Sequence, residues 1–94
     1  SLKKTCLVLC DSSQEESEQA WIEFQRIFMD MRVGTDVIDV QKDTIPDLDA
    51  YEIVVLLLSD LDPLKEKVLD ICEWVEDGGS AMFALTLQKN TYVL

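Results

Sequence analysis

Two continuous apolar runs constrain most strongly what this chain can fold into. Residues 5–10 are apolar except for Thr5, and residues 53–58 are apolar throughout. A strand built from either run has two apolar faces, which is typical of parallel sheets that helices cover on both sides. The runs therefore predict a parallel α/β sheet with residues 53–58 at its centre.

The segment after the first run predicts a helix. Ser12 with Glu15, or Ser13 with Glu16, forms the capping-box pattern found at helix starts. Apolar residues then recur at three- and four-residue steps, as on one face of a helix, and Gly34 is placed to end it. With Trp21 beside it, this stripe consists of Ala20, Phe24, Ile27, Phe28 and Met31.

A second helix is predicted after residues 53–58. Asp62 is expected to be its N-cap and Pro63 its first helical residue. Gly78, in the left-handed conformation, is expected to end the helix, and Gly79 to let the chain turn into a strand. The apolar stripe of this helix consists of Leu64, Val68, Ile71, Cys72 and Val75.

The remaining segments complete a β-α-β-β-α-β order. Residues 36–40 are predicted to form an acidic edge strand. Residues 41–50 are predicted to form a polar loop with one helical turn near Leu48, and residues 80–85 to form a fourth strand. This order predicts a three-layer α/β/α domain of the flavodoxin-like type, with a parallel sheet in the strand order 2-1-3-4. Residues 88–94 are expected to add at most one short strand.

Length and composition indicate one small domain. The chain has 94 residues, of which 48% are hydrophobic, enough for a single core. It begins with Ser1 rather than Met, and a doubly wound sheet usually has a further α-β unit. We therefore expect residues 1–94 to be a single domain of a longer protein, with its sheet truncated.

Charge and residue types exclude several functions. The formal charge is −11, from 19 acidic and 8 basic residues, which disfavours contact with nucleic acid or an anionic membrane. Because the chain has no histidine, it cannot form a Ser–His or Cys–His pair by itself. It also has no glycine-rich phosphate loop. We expect no cofactor, no metal and no catalytic residue.

Ligands of such sheets bind beyond the carboxyl ends of the strands, where the strand order reverses. In this chain that point lies between the first and third strands. The candidate ligand-binding residues are Asp11, Ser12, Ser13, Ser59 and Asp60. The competing interpretation is structural: carboxylates at a helix start complement the helix dipole, and loop acids in an acidic chain are usually solvated.

Two functional alternatives use residues near this point. Residues 51–57 are similar to the third strand of receiver domains, and a receiver-like signalling domain would bind a divalent cation through Asp11 and Asp60. However, Leu57 stands where receivers carry their phosphorylated aspartate. A hydrolase would use Cys10 as its nucleophile, with partners from elsewhere. The competing interpretation is that Cys10, with Cys6 and Cys72, is a small buried apolar residue.

A family resemblance rests on residues 51–56, YEIVVL, followed by residues 74–83, WVEDGGSAMF. This pair resembles the class I glutamine-amidotransferase-like superfold, many of whose members read Y-D-x-V-V-L and Y-V-x-x-G-G-x-x-x-F there. The resemblance implies a flavodoxin-like fold. The catalytic cysteine turn, histidine and glutamate of active members have no counterpart here, and residues 58–61 replace their glycine-rich oxyanion loop. A non-catalytic module is therefore expected.

A narrower resemblance rests on residues 3–8 and 74–83. They look like the N-terminal module of an uncharacterised bacterial surface family that also has a polysaccharide-deacetylase-like region. This implies an accessory or interaction module linked to surface polysaccharide, with a neighbouring domain of the same protein as its partner, or a second copy in a homodimer. The location would be extracellular or at the cell surface under this resemblance, and cytoplasmic otherwise.

Overall fold

The computed structural model of the protein describes residues 4–31 and 34–83. In chain order, the elements are β1 (Lys4–Cys10), α1 (Glu15–Met31), β2 (Thr35–Asp39), a 3-10 turn (Leu48–Ala50), β3 (Tyr51–Leu57), a second 3-10 turn (Asp62–Leu64), α2 (Val68–Glu76) and β4 (Ser80–Phe83). Neither helix in these residues has the length and apolar character needed to cross a bilayer.

The four strands form one parallel sheet in the order β2-β1-β3-β4. This confirms the predicted topology of a small flavodoxin-like α/β domain. In the register of the sheet, Val8 of β1 lies between Val37 of β2 and Val55 of β3. Val8 and Val55 are fully buried, whereas Val37 is 39% exposed. The two apolar runs therefore occupy the centre, and β2 is an edge strand as predicted.

The side chains of β1 and β3 alternate between two core layers. One layer packs under α2 and contains Leu7, Leu9, Leu48, Tyr51, Val54, Leu56, Leu58, Leu61, Leu64, Ile71 and Trp74. The other packs under α1 and contains Cys6, Val8, Cys10, Ala20, Val55 and Leu57. Helices thus cover both faces of the sheet, which gives the predicted three layers.

The predicted stripe of α1 is only partly buried. Ala20 is buried, and Trp21 and Phe24 pack against the layer beneath the helix. Ile27 is 48% exposed, so its predicted place in the core is wrong. The helix meets β1 and β3 through its middle turns, and Ile27 follows them. The side chains of Phe28 and Met31 lie outside the described residues. So do residues 32–33, which separate the last residue of α1, Met31, from the predicted stop Gly34.

The predicted start of the second helix is wrong. Asp62 and Pro63 belong to a separate 3-10 turn whose N-cap position is held by Leu61, and α2 begins only at Val68. The Asp60 carboxylate accepts from the Asp62 N–H at 3.0 Å, and the Leu64 N–H donates to the Leu61 carbonyl at 2.9 Å. These short-range bonds tighten the chain into a 3-10 turn. The other predicted helical turn, near Leu48, is confirmed.

The glycine pair ends α2 as predicted. Gly78 has a φ of 111°, and its N–H donates to the Val75 carbonyl at 3.0 Å. The Gly79 N–H donates to the Trp74 carbonyl at 3.0 Å, which completes a Schellman motif. Gly79 has a second role, because a Cβ at this position would overlap the Trp74 indole. β4 follows and is described as far as Phe83; residues 84–85 and 88–94 lie outside the described residues.

Replacing Gly79 by alanine tests this close packing. Gly79→Ala forces the added methyl group against a buried ring, and we expect a loss of about 2 kcal/mol in the free energy of unfolding. Chemical denaturation measures it. The matched control is Gly34→Ala, since a Cβ there meets no atom within 4 Å. Equal stability of the two variants would contradict the close contact between Gly79 and Trp74.

Candidate functional site

One side chain joins the two loops at the carboxyl ends of β1 and β3. Gln14 Oε1 accepts from the Ser59 N–H at 2.9 Å, the Ser59 hydroxyl at 3.1 Å and the Asp60 N–H at 3.2 Å. Gln14 Nε2 donates to Asp11 Oδ2 at 3.0 Å and to the Asp60 carbonyl at 3.1 Å. The loop after β1 and the loop after β3 are therefore held together by the Gln14 amide.

Asp11 is a fully buried carboxylate that neutral donors satisfy. Its Oδ1 accepts from the Ser13 N–H at 2.8 Å and the Ser13 hydroxyl at 2.6 Å, and its Oδ2 from Gln41 Nε2 at 3.1 Å as well as from Gln14. Burial acts to raise the pKa of Asp11, but the bonds from Ser13, Gln41 and Gln14 outweigh it and lower the pKa. Asp11 is thus held as an anion inside the protein.

The same network reaches β2. Asp39, the last residue of β2, accepts from the Ser12 N–H at 3.3 Å and the Gln41 N–H at 3.0 Å. Burial opposes these bonds, yet the pKa of Asp39 is lowered by them and by the Lys42 ammonium, which lies 4.0 Å away. We refer to Asp11, Gln14, Asp39, Gln41 and Ser59 as the carboxyl-edge cluster. It ties together the carboxyl ends of three strands.

The structure places the five predicted ligand-binding residues unequally. Asp11, Ser13, Ser59 and Asp60 meet around Gln14. Ser12 is exposed and bonds to Asp39 on the other side of β1. Gln14 and Gln41 were missed by sequence reasoning, because their partners are distant along the chain. Ligand binding at these residues stays a prediction.

Metal binding by Asp11 and Asp60 also stays a prediction. The Asp60 carboxylate accepts from the Asp62 N–H at 3.0 Å, within its own loop, while the Asp11 carboxylate is engaged by Ser13, Gln14 and Gln41. Across residues 4–31 and 34–83, no group of three or more cysteine or acidic side chains is arranged to hold a metal ion. The geometry gives the receiver-like alternative no further support.

The cysteines have mainly a packing role. Cys6 and Cys10 are buried on the same face of β1, as predicted, whereas Cys72 is only half-buried. Burial, together with the negative charge of Asp39, raises the pKa of Cys10 to about 11. Cys10 is then almost entirely a thiol at neutral pH, and the thiolate is the nucleophilic form. This environment disfavours Cys10 as a nucleophile.

An apolar surface lies at the other edge of the sheet. A cavity of about 350 Å3 between α2 and β4 is lined by Leu56, Ile71, Cys72, Val75, Glu76, Ala81 and Phe83. Val75 and Phe83, which line the cavity, are each 40% exposed. We call this cavity, together with the exposed side of β4, the α2–β4 groove. Contiguous apolar surface of this kind is typical of interaction sites.

Comparison with known proteins gives one match. Residues 1–93 match the model of a family described as Uncharacterised protein conserved in bacteria (DUF2194). The chain belongs to this family. Neither the curated proteins nor the solved structures give a match. The expected membership of an uncharacterised bacterial family is thereby confirmed. The match does not extend to an amidotransferase-like or deacetylase-like relationship.

Gln14 is the strongest test of the carboxyl-edge cluster. Gln14→Leu leaves the N–H groups of Ser59 and Asp60 without their acceptor, and we expect a loss of about 2 kcal/mol in the free energy of unfolding. Urea denaturation measures it. The control is Gln25→Leu on the exposed side of α1, which we expect to change stability by less than about 0.5 kcal/mol. Comparable losses of stability in both variants would contradict the role of Gln14 in joining the loops after β1 and β3.

Asp11 predicts a dependence of stability on pH. Its folded-state pKa lies below that of the unfolded chain, about 3.9 for aspartate, so its contribution is complete above that value and disappears as pH falls through the folded-state pKa. We expect Asp11→Asn to be less stable than the wild type at neutral pH, and the difference to shrink below about pH 4. Urea midpoints measured across this range test the expectation. A difference that stays constant with pH would contradict the ionised, hydrogen-bonded carboxylate.

Proposed function

We propose that the protein is a non-catalytic accessory module of a larger bacterial protein, and that it packs against a neighbouring domain of that protein through the α2–β4 groove. The observation that supports it is the exposure of Val75 and Phe83 at the apolar cavity that they line. Burial of about 25 cal/mol per Å2 of apolar surface makes such a groove a source of binding free energy. Its apolar character contrasts with the acidic surface of the chain.

The carboxyl edge of the sheet supports the non-catalytic part of this proposal. Reacting groups in this fold class stand at that edge, but here Asp11, Gln14 and Ser59 satisfy one another's hydrogen bonds. The Cys10 thiol beside them has a pKa of about 11, which disfavours nucleophilic attack at neutral pH. Both features fit a role in holding loops in place.

The nature of the larger protein follows from the resemblance of residues 51–56 and 74–83 to amidotransferase-like domains. We propose that this module is a member of that superfold without its catalytic half. A link to surface polysaccharide rests on the narrower resemblance to a bacterial surface family. Under this proposal, the neighbouring domain carries the chemistry, and this module positions or stabilises it.

A pair of substitutions on α2 tests the docking surface. Val75→Glu places a charge in the α2–β4 groove, whereas Leu69→Glu places the same charge at a side chain that is already 77% exposed. In the full-length protein, we expect Val75→Glu to separate the unfolding of this domain from that of its neighbour. Differential scanning calorimetry would then resolve two transitions, and Leu69→Glu would leave the wild-type profile unchanged.

Three results would contradict the proposal. Identical calorimetric profiles for both variants would remove the groove as the docking surface. A dimer that Val75→Glu dissociates in sedimentation experiments would make a second copy the partner instead of a neighbouring domain. Hydrolysis of amide, ester or N-acetyl substrates by the purified 94-residue chain would remove the non-catalytic assignment.

A further inference from the structure

The connection between β2 and β3 leaves room beside α2. Parallel strands are usually joined by a crossover that contains an α-helix, but residues 40–50 contain only the 3-10 turn Leu48–Ala50. Ile45 and Leu48 pack in the same core layer as Ile71 of α2, so the crossover runs over the same face of the sheet. A cavity of about 360 Å3 lies between it and the helix.

Carboxylates dominate the charge of this cavity. Its acidic lining residues are Asp47, Asp49, Asp70, Glu73 and Asp77, with Lys67 as the one cation among the lining residues. The Lys67 ammonium lies 3.7 Å from the Asp70 carboxylate, and both side chains are largely exposed. Four of the five carboxylates therefore have no ammonium or guanidinium partner among the described residues, so the cavity attracts cations.

Trp74 supplies a second polar group in the same place. It lines the cavity but is only 8% exposed. Within residues 4–31 and 34–83, no hydrogen bond uses its indole N–H, and no fully buried side-chain nitrogen or oxygen lacks a partner. The indole N–H must therefore keep contact with solvent. Trp74 also lines an adjoining cavity of about 190 Å3 that shares Asp49 and Asp77, so its side chain borders both cavities.

Most of the Trp74 side chain is buried, but its indole N–H has no acceptor among the described residues, so this donor is open to an acceptor from outside the chain. The two cavities thus combine negative charge with one indole N–H that no described residue accepts from. We call them together the Trp74 cleft. A ligand that fits it must carry positive charge and a hydrogen-bond acceptor close to that charge. Anions are excluded by the carboxylates.

We propose that the Trp74 cleft binds a basic peptide segment of a partner protein. A lysine or arginine side chain of the peptide lies among Asp49, Glu73 and Asp77, and a neighbouring backbone carbonyl accepts from the Trp74 indole N–H. A protonated polyamine satisfies the charge but offers no acceptor, which is why the geometry favours a peptide. This inference goes beyond the proposed docking through the α2–β4 groove, because the binding groups are different residues.

Nuclear magnetic resonance tests the proposal on the protein itself. The probes are a capped hexapeptide of alternating glycine and arginine, spermidine, and a capped glycine–glutamate hexapeptide. We expect the arginine peptide to shift the indole N–H resonance of Trp74, with that of Trp21 as an internal reference. The glutamate peptide should shift neither. No shift at millimolar arginine peptide, or an equal Trp74 shift with spermidine, would overturn the proposal.

Two matched variants separate the cleft from general attraction to an acidic protein. Asp49→Asn combined with Glu73→Gln removes two charges in the cleft, and we expect the dissociation constant of the arginine peptide to rise about fivefold. Glu18→Gln combined with Glu23→Gln removes two exposed charges on α1 and should leave it unchanged. Equal weakening by both pairs would overturn a specific site.

Trp74→Phe tests the role of the indole N–H, since it keeps an aromatic ring and removes that donor. We expect the affinity for the arginine peptide to fall about fivefold and the affinity for spermidine to stay the same. Circular dichroism confirms that the variant is folded before binding is measured. If it is unfolded, the resonance of the wild-type indole N–H decides the question. Unchanged peptide affinity in the folded variant would overturn the role of Trp74.

Discussion

Burial of β1 and β3 on both faces is the constraint on which the rest of the structure depends. Leu7, Leu9, Val54 and Leu56 are buried under α2, while Val8 and Val55 are buried under α1. Neither strand can leave the centre of the sheet without exposing one of these sets to water. β1 and β3 therefore lie at the centre of the sheet, and β2 and β4, whose side chains are more exposed, form its edges.

The same constraint explains the carboxyl-edge cluster. Two central strands end side by side in a region from which water is largely excluded, so the polar groups of the loops that follow must find partners within the protein. Gln14 meets this requirement for the N–H groups of Ser59 and Asp60, and Asp11 accepts from the turn before α1. The residues that the fold class predicts to bind a ligand thus form hydrogen bonds to one another and hold the loops at this end of the sheet.

Sequence patterns predicted the features that depend on neighbours along the chain. Short apolar runs between helix and turn signals identified all four strands of the sheet, and Gly78 was correctly assigned to the left-handed helix stop. Asp62 and Pro63 led to a wrong prediction of where the second helix begins. Proline is as compatible with a 3-10 turn as with the first turn of an α-helix. Gln14 bonds to a residue 45 positions away, and Gly79 makes room for an indole ring. The long-range hydrogen bonds of Gln14 and the close contact at Gly79 arise only when the chain is packed. Residue type alone could therefore not predict them.

The chain covers the two faces of its sheet unequally, and this difference locates its free surfaces. On the α2 face, a helix lies over β3, but the crossover from β2 contributes only a short 3-10 turn beside it. The Trp74 cleft lies on one side of α2, in the space that a helix in this crossover would fill. On the other side, β4 has no strand beyond it among the described residues, and the apolar α2–β4 groove remains. One surface is acidic and the other is apolar, so the two complement different chemical groups of a partner. The helix between them, rather than the carboxyl edge typical of this fold class, is therefore the centre of the binding surface that we assign to this protein.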